Sequence, residues 1–256
     1  MKAVILAGGL GTRMTTETIT KPKPMVMIGK KPILWHIMKI FSFYNIRDFV
    51  ICCGYKEEII EEFFKNNFLI SDCLSREKQS IEFNVKENSN EQWHVTLEDT
   101  GLDTMTGGRL KKIKRHLTET FCLTYGDTLN NLNISDLISL HKSKKKLATV
   151  TACQPPGKFG ILKIDNDIVT EFKEKPKGDD QWVNGGFFIL EPQVIDYIKD
   201  DYTMWENEPL QRLVQNGQLS AFKHFGFYQP MDTIHEKNIL ENIWNSDNPE
   251  WKVWNS

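Results

Sequence analysis

Near the start of the chain, Leu6-Ala7-Gly8-Gly9-Leu10-Gly11-Thr12-Arg13 carries an apolar stretch into three glycines and then a guanidinium. Residues without side chains let backbone N–H groups approach phosphate oxygens closely, and a planar, permanently charged fork can then clamp them. The spacing excludes two other phosphate loops. A Walker A loop needs Gly-Lys-Ser/Thr after four intervening residues, and a dinucleotide fingerprint needs a third glycine where Met14 stands. As structure alone the segment would be a tight turn, which has no need of three glycines and an arginine together. Further along, Lys21-Pro22-Lys23-Pro24-Met25 sets Lys23 between prolines that bias its backbone to extended conformations. Beside a phosphate loop that reads as a preorganised charge; alone it is a rigid loop.

Two aspartates suit a hard cation. Asp127 follows the apolar run Phe121–Tyr125 in Tyr125-Gly126-Asp127, at the carboxyl edge where open α/β sheets bind ligands. Asp232, in Gln229-Pro230-Met231-Asp232-Thr233, lies between an expected strand and an expected helix. Carboxylate oxygens that share Mg²⁺ with nucleotide phosphates would use both. The structural alternatives are a turn residue for Asp127 and a helix N-cap for Asp232. Nothing in their spacing joins them.

The elements that must position these groups alternate between short apolar runs and helical patterns, the signature of βα units and a mainly parallel sheet. Val4-Ile5-Leu6, Asp48–Gly54, Phe121–Tyr125 and Ala148–Cys153 read as strands. After Pro32 the apolar positions Ile33, Leu34, Ile37, Met38, Ile40 and Phe41 recur at helical spacing, and Lys56 to Phe64 repeats the pattern. Ser135 is the expected N-cap of a helix through Leu137 and Leu140. From Gly160 the pattern turns to hairpins (Gly160–Ile164, Ile168–Phe172, Gly186–Leu190). Helices follow near Val194–Ile198, Pro209–Val214 and Ile234–Trp244. The expected fold is α/β: a doubly wound, mixed and mostly parallel sheet flanked by helices, with an added antiparallel part. No linker or repeat divides the chain, so one domain spans 1–256. Its first part, 1–150, would be the doubly wound half, and 151–256 would hold a substrate-binding half and the C-terminal helix.

Composition narrows the function classes. Lys and Arg number 32 against 34 Asp and Glu, for a net charge of -2, with 40% hydrophobic residues. This is ordinary for a globular protein and supplies no global field for nucleic acid or anionic membrane. The basic runs Arg109–Arg115 and Lys142–Lys146 read as solvated helix faces or helix ends. The five cysteines, Cys52, Cys53, Cys73, Cys122 and Cys153, include no CxxC pair, which argues against zinc and a disulfide framework and fits a reducing compartment. The first apolar stretch is too short for a signal-peptide core and nothing approaches a membrane span. A cytoplasmic protein is expected. His36 reads as a packed histidine, Trp251 and Trp254 as packing or subunit contact.

The combination of Leu6–Arg13 with Lys21–Met25 resembles the sugar-phosphate nucleotidylyltransferase family, and within it the cytidylyl members. The closer likeness is carried by Lys31–Met38, Ile51–Lys56, Val95-Thr96-Leu97, Asp99-Thr100-Gly101 and Met105–Leu110. It continues through Glu174–Gly178, Asn184–Phe188 and Pro230–Thr233. The resemblance implies transfer of a cytidylyl group from CTP to α-D-glucose 1-phosphate, giving CDP-glucose and pyrophosphate with Mg²⁺. By that analogy Leu6, Ala7, Gly8, Gly9, Leu10, Gly11, Thr12 and Arg13 hold the triphosphate. Lys23 contacts phosphate, and Arg13, Lys23 and Asp127 are the catalytic groups. Asp127 and Asp232 would be the metal ligands. Thr104, Gly107 and Arg109 match the stretch that meets the nucleotide, Gly126 is a further substrate-binding position, and Glu174, Lys175, Asn184 and Gly185 match segments that hold the sugar phosphate. The family also implies homo-oligomers, hexamers or tetramers, that feed surface-polysaccharide (O-antigen) synthesis. The chain departs from the family pattern at Thr128, commonly glycine, at Met14, usually leucine, and at Thr16, often proline. It shows no hexapeptide repeats of the kind some relatives carry. A uridylyl or thymidylyl transferase, and a non-catalytic sugar-nucleotide-binding relative, are the competing readings.

Overall fold

The computed structural model describes residues 1–76, 79–88, 91–155, 157 and 159–254. Its first strands are β1 (Ala3–Leu6), β2 (Met27–Ile28), β3 (Lys31–Pro32) and β4 (Asp48–Cys53). A meander follows: β5 (Leu69–Arg76), β6 (Ser80–Asn88) and β7 (Glu91–Asp99). Then come β8 (Phe121–Tyr125), β9 (Thr128–Asn130), β10 (Ala148–Cys153), β11 (Ile161–Asp165) and β12 (Ile168–Lys173). The last are β13 (Val183–Leu190), β14 (Leu219–His224) and β15 (Tyr228–Pro230). The helices are α1 (Thr15–Thr18), α2 (Ile33–Phe43), α3 (Glu57–Asn67), α4 (Thr106–Lys112), α5 (Ile134–Lys144), α6 (Glu208–Gln215) and α7 (Ile234–Trp244).

Nine strands form the central sheet in the order β14-β10-β13-β8-β1-β4-β7-β6-β5. Their pairings leave only β6 and β13 running against the other seven. This is the expected mixed, mostly parallel sheet. It takes strands from both sides of residue 150.

Period-2 alternation sends successive side chains to opposite faces. Ala3 and Ile5, Phe49 and Ile51, and Phe187 and Ile189 pack into one core, beneath α2, α3 and α7. Val4 and Leu6, Val50 and Cys52, and Phe188 and Leu190 pack into the other, with Leu110, Ile113, Trp205 and Leu213. Both faces of the sheet are therefore buried, which is why these strands read as unbroken apolar runs.

Three expectations change. The antiparallel strands are not confined to the second half, because β5, β6 and β7 form a meander at the sheet edge. Asn133, not Ser135, caps α5: its Oδ1 accepts from the backbone N–H of Ser135 (3.1 Å) and Asp136 (3.3 Å). The segment near Val194–Ile198 is a 3₁₀ turn, Pro192–Tyr197, rather than an α-helix.

Other expectations hold. His36 is fully buried, and Trp251 Nε1 donates to its Nδ1 (3.4 Å), so Nε2 donates to the Ile28 carbonyl (3.0 Å). Burial holds its pKa down to about 4, leaving a neutral packing residue. Trp251 and Trp254 pack in the same core. Cys52, Cys53, Cys122 and Cys153 are buried and free, and burial pushes the Cys52, Cys122 and Cys153 thiols up to about 12, which makes them poor nucleophiles. The side chain of Cys73 lies outside those described. Among the described residues no helix is long and apolar enough to cross a membrane.

Candidate active site

The strand order reverses between β1 and β8. Sequence continues from β1 to β4 on one flank, while β8 leads to the strands of the other. A crevice opens outside the carboxyl ends of strands at such a switch point. Leu6 pairs with Tyr125 in register, so the glycine loop after β1 and the Gly126-Asp127 turn after β8 emerge side by side. The Gly126 N–H donates to the Leu6 carbonyl (3.0 Å) and fastens the two together. A cavity of about 300 Å³ lies there, lined by Leu6, Ala7, Gly8, Gly9, Gly11, Thr12 and Arg13. Lys23, Pro24, Thr104, Met105, Thr106, Arg109, Tyr125, Gly126 and Asp127 complete the wall.

The two aspartates meet through a short antiparallel pairing. β9 follows Asp127 and β15 precedes Asp232, with Thr128 opposite Pro230, and the Met231 N–H donates to the Asp127 carbonyl (2.9 Å). Lys23 Nζ then donates to Asp127 Oδ2 (2.6 Å) and Asp232 Oδ1 (2.5 Å), so these oxygens lie no farther apart than the sum of the two distances, about 5 Å. Arg13 Nη1 reaches Asp232 Oδ2 (2.8 Å). Burial alone would depress the Lys23 ammonium, but Asp127 and Asp232 outweigh it and raise its pKa above the usual lysine value. Thr128, the departure from the family pattern, is used: its hydroxyl donates to Asp127 Oδ1 (3.0 Å) and orients the carboxylate.

Asp232 is not the N-cap of α7. Thr233 caps the helix, its Oγ1 accepting from the Glu236 N–H (3.2 Å) while Glu236 Oε2 accepts from the N–H groups of Thr233 (2.9 Å) and Asp232 (2.7 Å). This capping box frees the Asp232 carboxylate for cations. Helix α1, which follows Arg13, is also tied to α7, because Lys237 Nζ donates to Glu17 Oε1 (2.6 Å) and holds that carboxyl below its usual range.

These residues fit a divalent cation. No cluster of three or more His, Cys, Asp or Glu that could hold a metal occurs among the described residues. Mg²⁺ does not require one, since it commonly takes one or two carboxylates plus phosphates and water. Two carboxylates converging on one positive atom supply that donor set.

Arg109 lines the cavity yet spends its guanidinium on the protein. Nη1 donates to Cys53 O (2.9 Å), Thr100 Oγ1 (2.6 Å) and Gly101 O (2.9 Å); Nη2 donates to Gly8 O (2.9 Å) and Leu102 O (3.3 Å). It therefore fixes the glycine loop from beneath. A Cβ on Gly8 would lie 2.0 Å from Arg109 Nη1 and 2.9 Å from the Cys53 carbonyl. Gly8→Ala is expected to lower stability by about 1–3 kcal/mol, as overpacking does. Denaturant unfolding checks it, and an unchanged midpoint would mean that Arg109 moves aside freely.

The remaining expected residues divide. Thr104 lines the cavity, and Leu10, 48% exposed, sits on the loop outside it. Gly107 does not face the cavity; its N–H donates to Thr203 O (3.0 Å). Glu174 and Lys175 follow β12, are exposed, pair with each other (3.5 Å) and do not line the cavity. Asn184 and Gly185 open β13, and Asn184 Nδ2 reaches the cavity wall by donating to the Tyr125 hydroxyl (3.3 Å). Tyr125, Thr106 and Glu206 were not singled out by sequence. Tyr125 had a signal, a polar aromatic ending a buried strand just before Gly126-Asp127. Glu206 reads only as an acid ahead of a helix.

Three comparisons bear on this geometry. A match to the family described as nucleotidyl transferase spans residues 2–223. The chain is 53% identical over 256 residues to a glucose-1-phosphate cytidylyltransferase of Salmonella typhi, covering 99% of this chain and 100% of that one. It is 45% identical over 263 residues to a probable glucose-1-phosphate cytidylyltransferase of Bacillus subtilis (strain 168), with 99% and 100% covered. Among solved structures, HddC from Yersinia pseudotuberculosis superposes with a TM-score of 0.70 over 95% of this chain and 99% of that one, at 22% identity. That last likeness is one of fold.

Proposed function

Because the chain belongs to the nucleotidyl transferase family, we propose that it transfers a cytidylyl group from CTP to α-D-glucose 1-phosphate, releasing pyrophosphate. The observation that carries this reading is the end-to-end 53% identity to a protein of that activity. The convergence of Lys23, Arg13, Asp127 and Asp232 beside the glycine loop supports it.

The reaction needs no covalent bond to the protein. An oxygen of the sugar phosphate attacks the α-phosphorus of CTP, the new P–O bond forms in line, and the bond to the β-phosphate breaks with its electron pair leaving on pyrophosphate. Two anions must meet, so the protein's task is positioning and charge. The glycine loop brings backbone N–H groups to the triphosphate. Arg13, whose side chain is 71% exposed, would exchange its surface ion pair with Asp232 for the triphosphate. Lys23 is held by the acids at the cavity wall, ready to take charge that grows on the phosphoryl oxygens. Asp127 and Asp232 would hold Mg²⁺, which when bound polarises phosphoryl oxygens and offsets their charge. Lys175 and Glu174, with Asn184 and Gly185, are the sugar-phosphate side of this proposal.

Base choice tests it. Initial rates with CTP, UTP, dTTP and GTP at fixed glucose 1-phosphate should favour CTP over UTP by at least about 10-fold in kcat/KM, since one unpaired buried polar group costs about 1–3 kcal/mol. Equal rates with UTP would contradict the cytidylyl assignment.

A further inference from the structure

Two residues of the cavity wall, Thr106 and Tyr125, turn their hydroxyl hydrogens toward one carboxylate, that of Glu206, which does not line the cavity. Thr106 Oγ1 lies 2.6 Å from Glu206 Oε2, and the Tyr125 hydroxyl lies 2.6 Å from Glu206 Oε1. A carboxylate has no hydrogen to give, so both hydroxyls donate. Each already accepts one bond: Thr106 Oγ1 from the Trp205 N–H (2.9 Å), and the Tyr125 oxygen from Asn184 Nδ2 (3.3 Å). Of one donor and two acceptor positions, each is left with a single lone pair. Burial, with Glu206 beside it, raises the Tyr125 pKa far above its ordinary value, so the phenol keeps its proton.

The backbone holds Glu206 in this place. The N-terminal turn of α4 lies against residues 200–205: Met105 N–H donates to Asp201 O (2.8 Å), and the N–H groups of Gly107 and Gly108 both donate to Thr203 O (3.0 and 3.2 Å). A Cβ at Gly108 would sit 2.3 Å from Asp201 O, and one at Gly107 2.7 Å from Thr203 O. The two glycines of Thr106-Gly107-Gly108-Arg109 thus serve the contact that places Glu206 behind the wall.

We propose that Glu206 is a positioning residue that sets substrate specificity, by making Thr106 and Tyr125 present acceptors only, so that the substrate group facing them must be a hydrogen-bond donor. This rests on the function proposed above. In that reaction two groups have the required chemistry: the exocyclic amine of cytosine, where uracil carries an acceptor oxygen, and a hydroxyl of glucose. A substrate that offers only an acceptor there would meet a lone pair and be rejected. Glu206→Gln changes this, because its amide must donate to one hydroxyl and so turns that hydroxyl's hydrogen toward the cavity.

The test measures discrimination ratios in the wild type, Glu206→Gln and Tyr125→Phe. One arm compares CTP with UTP; the other compares glucose 1-phosphate with its 2-, 3-, 4- and 6-deoxyfluoro analogues, in which fluorine accepts but cannot donate. Each ratio is read as kcat/KM and again as a binding constant by calorimetry, so the result does not depend on turnover. One of the ratios should narrow by about 10-fold in Glu206→Gln, as one hydrogen bond allows. Tyr125→Phe, which keeps the ring and loses the acceptor, should narrow it as well if Tyr125 is the partner. A narrowed CTP/UTP ratio assigns the amine, and a narrowed fluoro-sugar ratio assigns that hydroxyl. If Glu206→Gln lowers all substrates equally, or leaves every ratio as in the wild type, the proposal is overturned. Should Glu206→Gln not fold, wild-type ratios in both Tyr125→Phe and Thr106→Ala overturn it. A wild type that binds UTP as well as CTP contradicts the cytidylyl function instead, and the fluoro-sugar arm still decides the role of Glu206.

Discussion

Asp127→Asn and Asp232→Asn are each expected to lower turnover by about 10³-fold or more, with the protein still folded. The two carboxylates converge on one cationic atom within about 5 Å of each other, and hard oxygen donors of both would hold Mg²⁺. A metal contributes several kcal/mol of charge stabilisation in the transition state, and every 1.36 kcal/mol is tenfold in rate. An amide keeps the shape of the carboxylate but is a weaker hard-cation ligand, so excess Mg²⁺ should restore little. Folding should survive because Lys23 keeps one carboxylate partner in either variant, and because α7 is capped by Thr233 and Glu236 rather than by Asp232. Steady-state kinetics across a Mg²⁺ titration, with a thermal melt of each variant, checks both halves. Turnover within tenfold of the wild type for Asp232→Asn would remove it from the metal site.

Arg13→Ala and Lys23→Ala should each reduce kcat by about 10²-fold, the scale of losing one preorganised group aimed at developing charge. Their effects on stability should differ. Lys23 is 9% exposed and separates two acids, so its loss leaves Asp127 without a cationic partner and facing Asp232, which keeps only the exposed Arg13, and should lower the melting temperature. Arg13 is largely exposed, and its ion pair with Asp232 is of the surface kind that contributes little. Arg13→Ala should therefore melt close to the wild type. A rise in KM with kcat unchanged would assign both residues to ground-state binding alone.

Much of this arrangement could be read before folding, and the reasons are physical. Buried strands announce themselves as apolar runs, and those of β1, β4, β8 and β10 were legible because both faces of the sheet are covered. The glycine loop and Lys23, which both line the cavity, stood out because clustered glycines and a lysine between prolines are compact local patterns. The strands β5 and β6 were not singled out, since a meander at the sheet edge mixes polar and apolar residues and loses the continuous signal. The meeting of Asp127 with Asp232 depends on the β9–β15 pairing, a contact between segments remote in sequence, which no local spacing encodes. Arg109 shows the opposite limit. The family resemblance placed it at the nucleotide, and it does line the cavity, but its five hydrogen bonds to Cys53, Thr100, Gly101, Leu102 and Gly8 join segments remote in sequence and left no local pattern to read.

The central claim is group transfer, and ³¹P NMR of the protein with CTP, glucose 1-phosphate and Mg²⁺ tests it most directly. The account predicts that the α-phosphorus of CTP and the sugar phosphate disappear together. One diphosphodiester, CDP-glucose, and one pyrophosphate should appear in equal amounts, with no pyrophosphate released when glucose 1-phosphate is left out. Pyrophosphate formed from CTP alone, or CTP that stays intact beside glucose 1-phosphate, would contradict it.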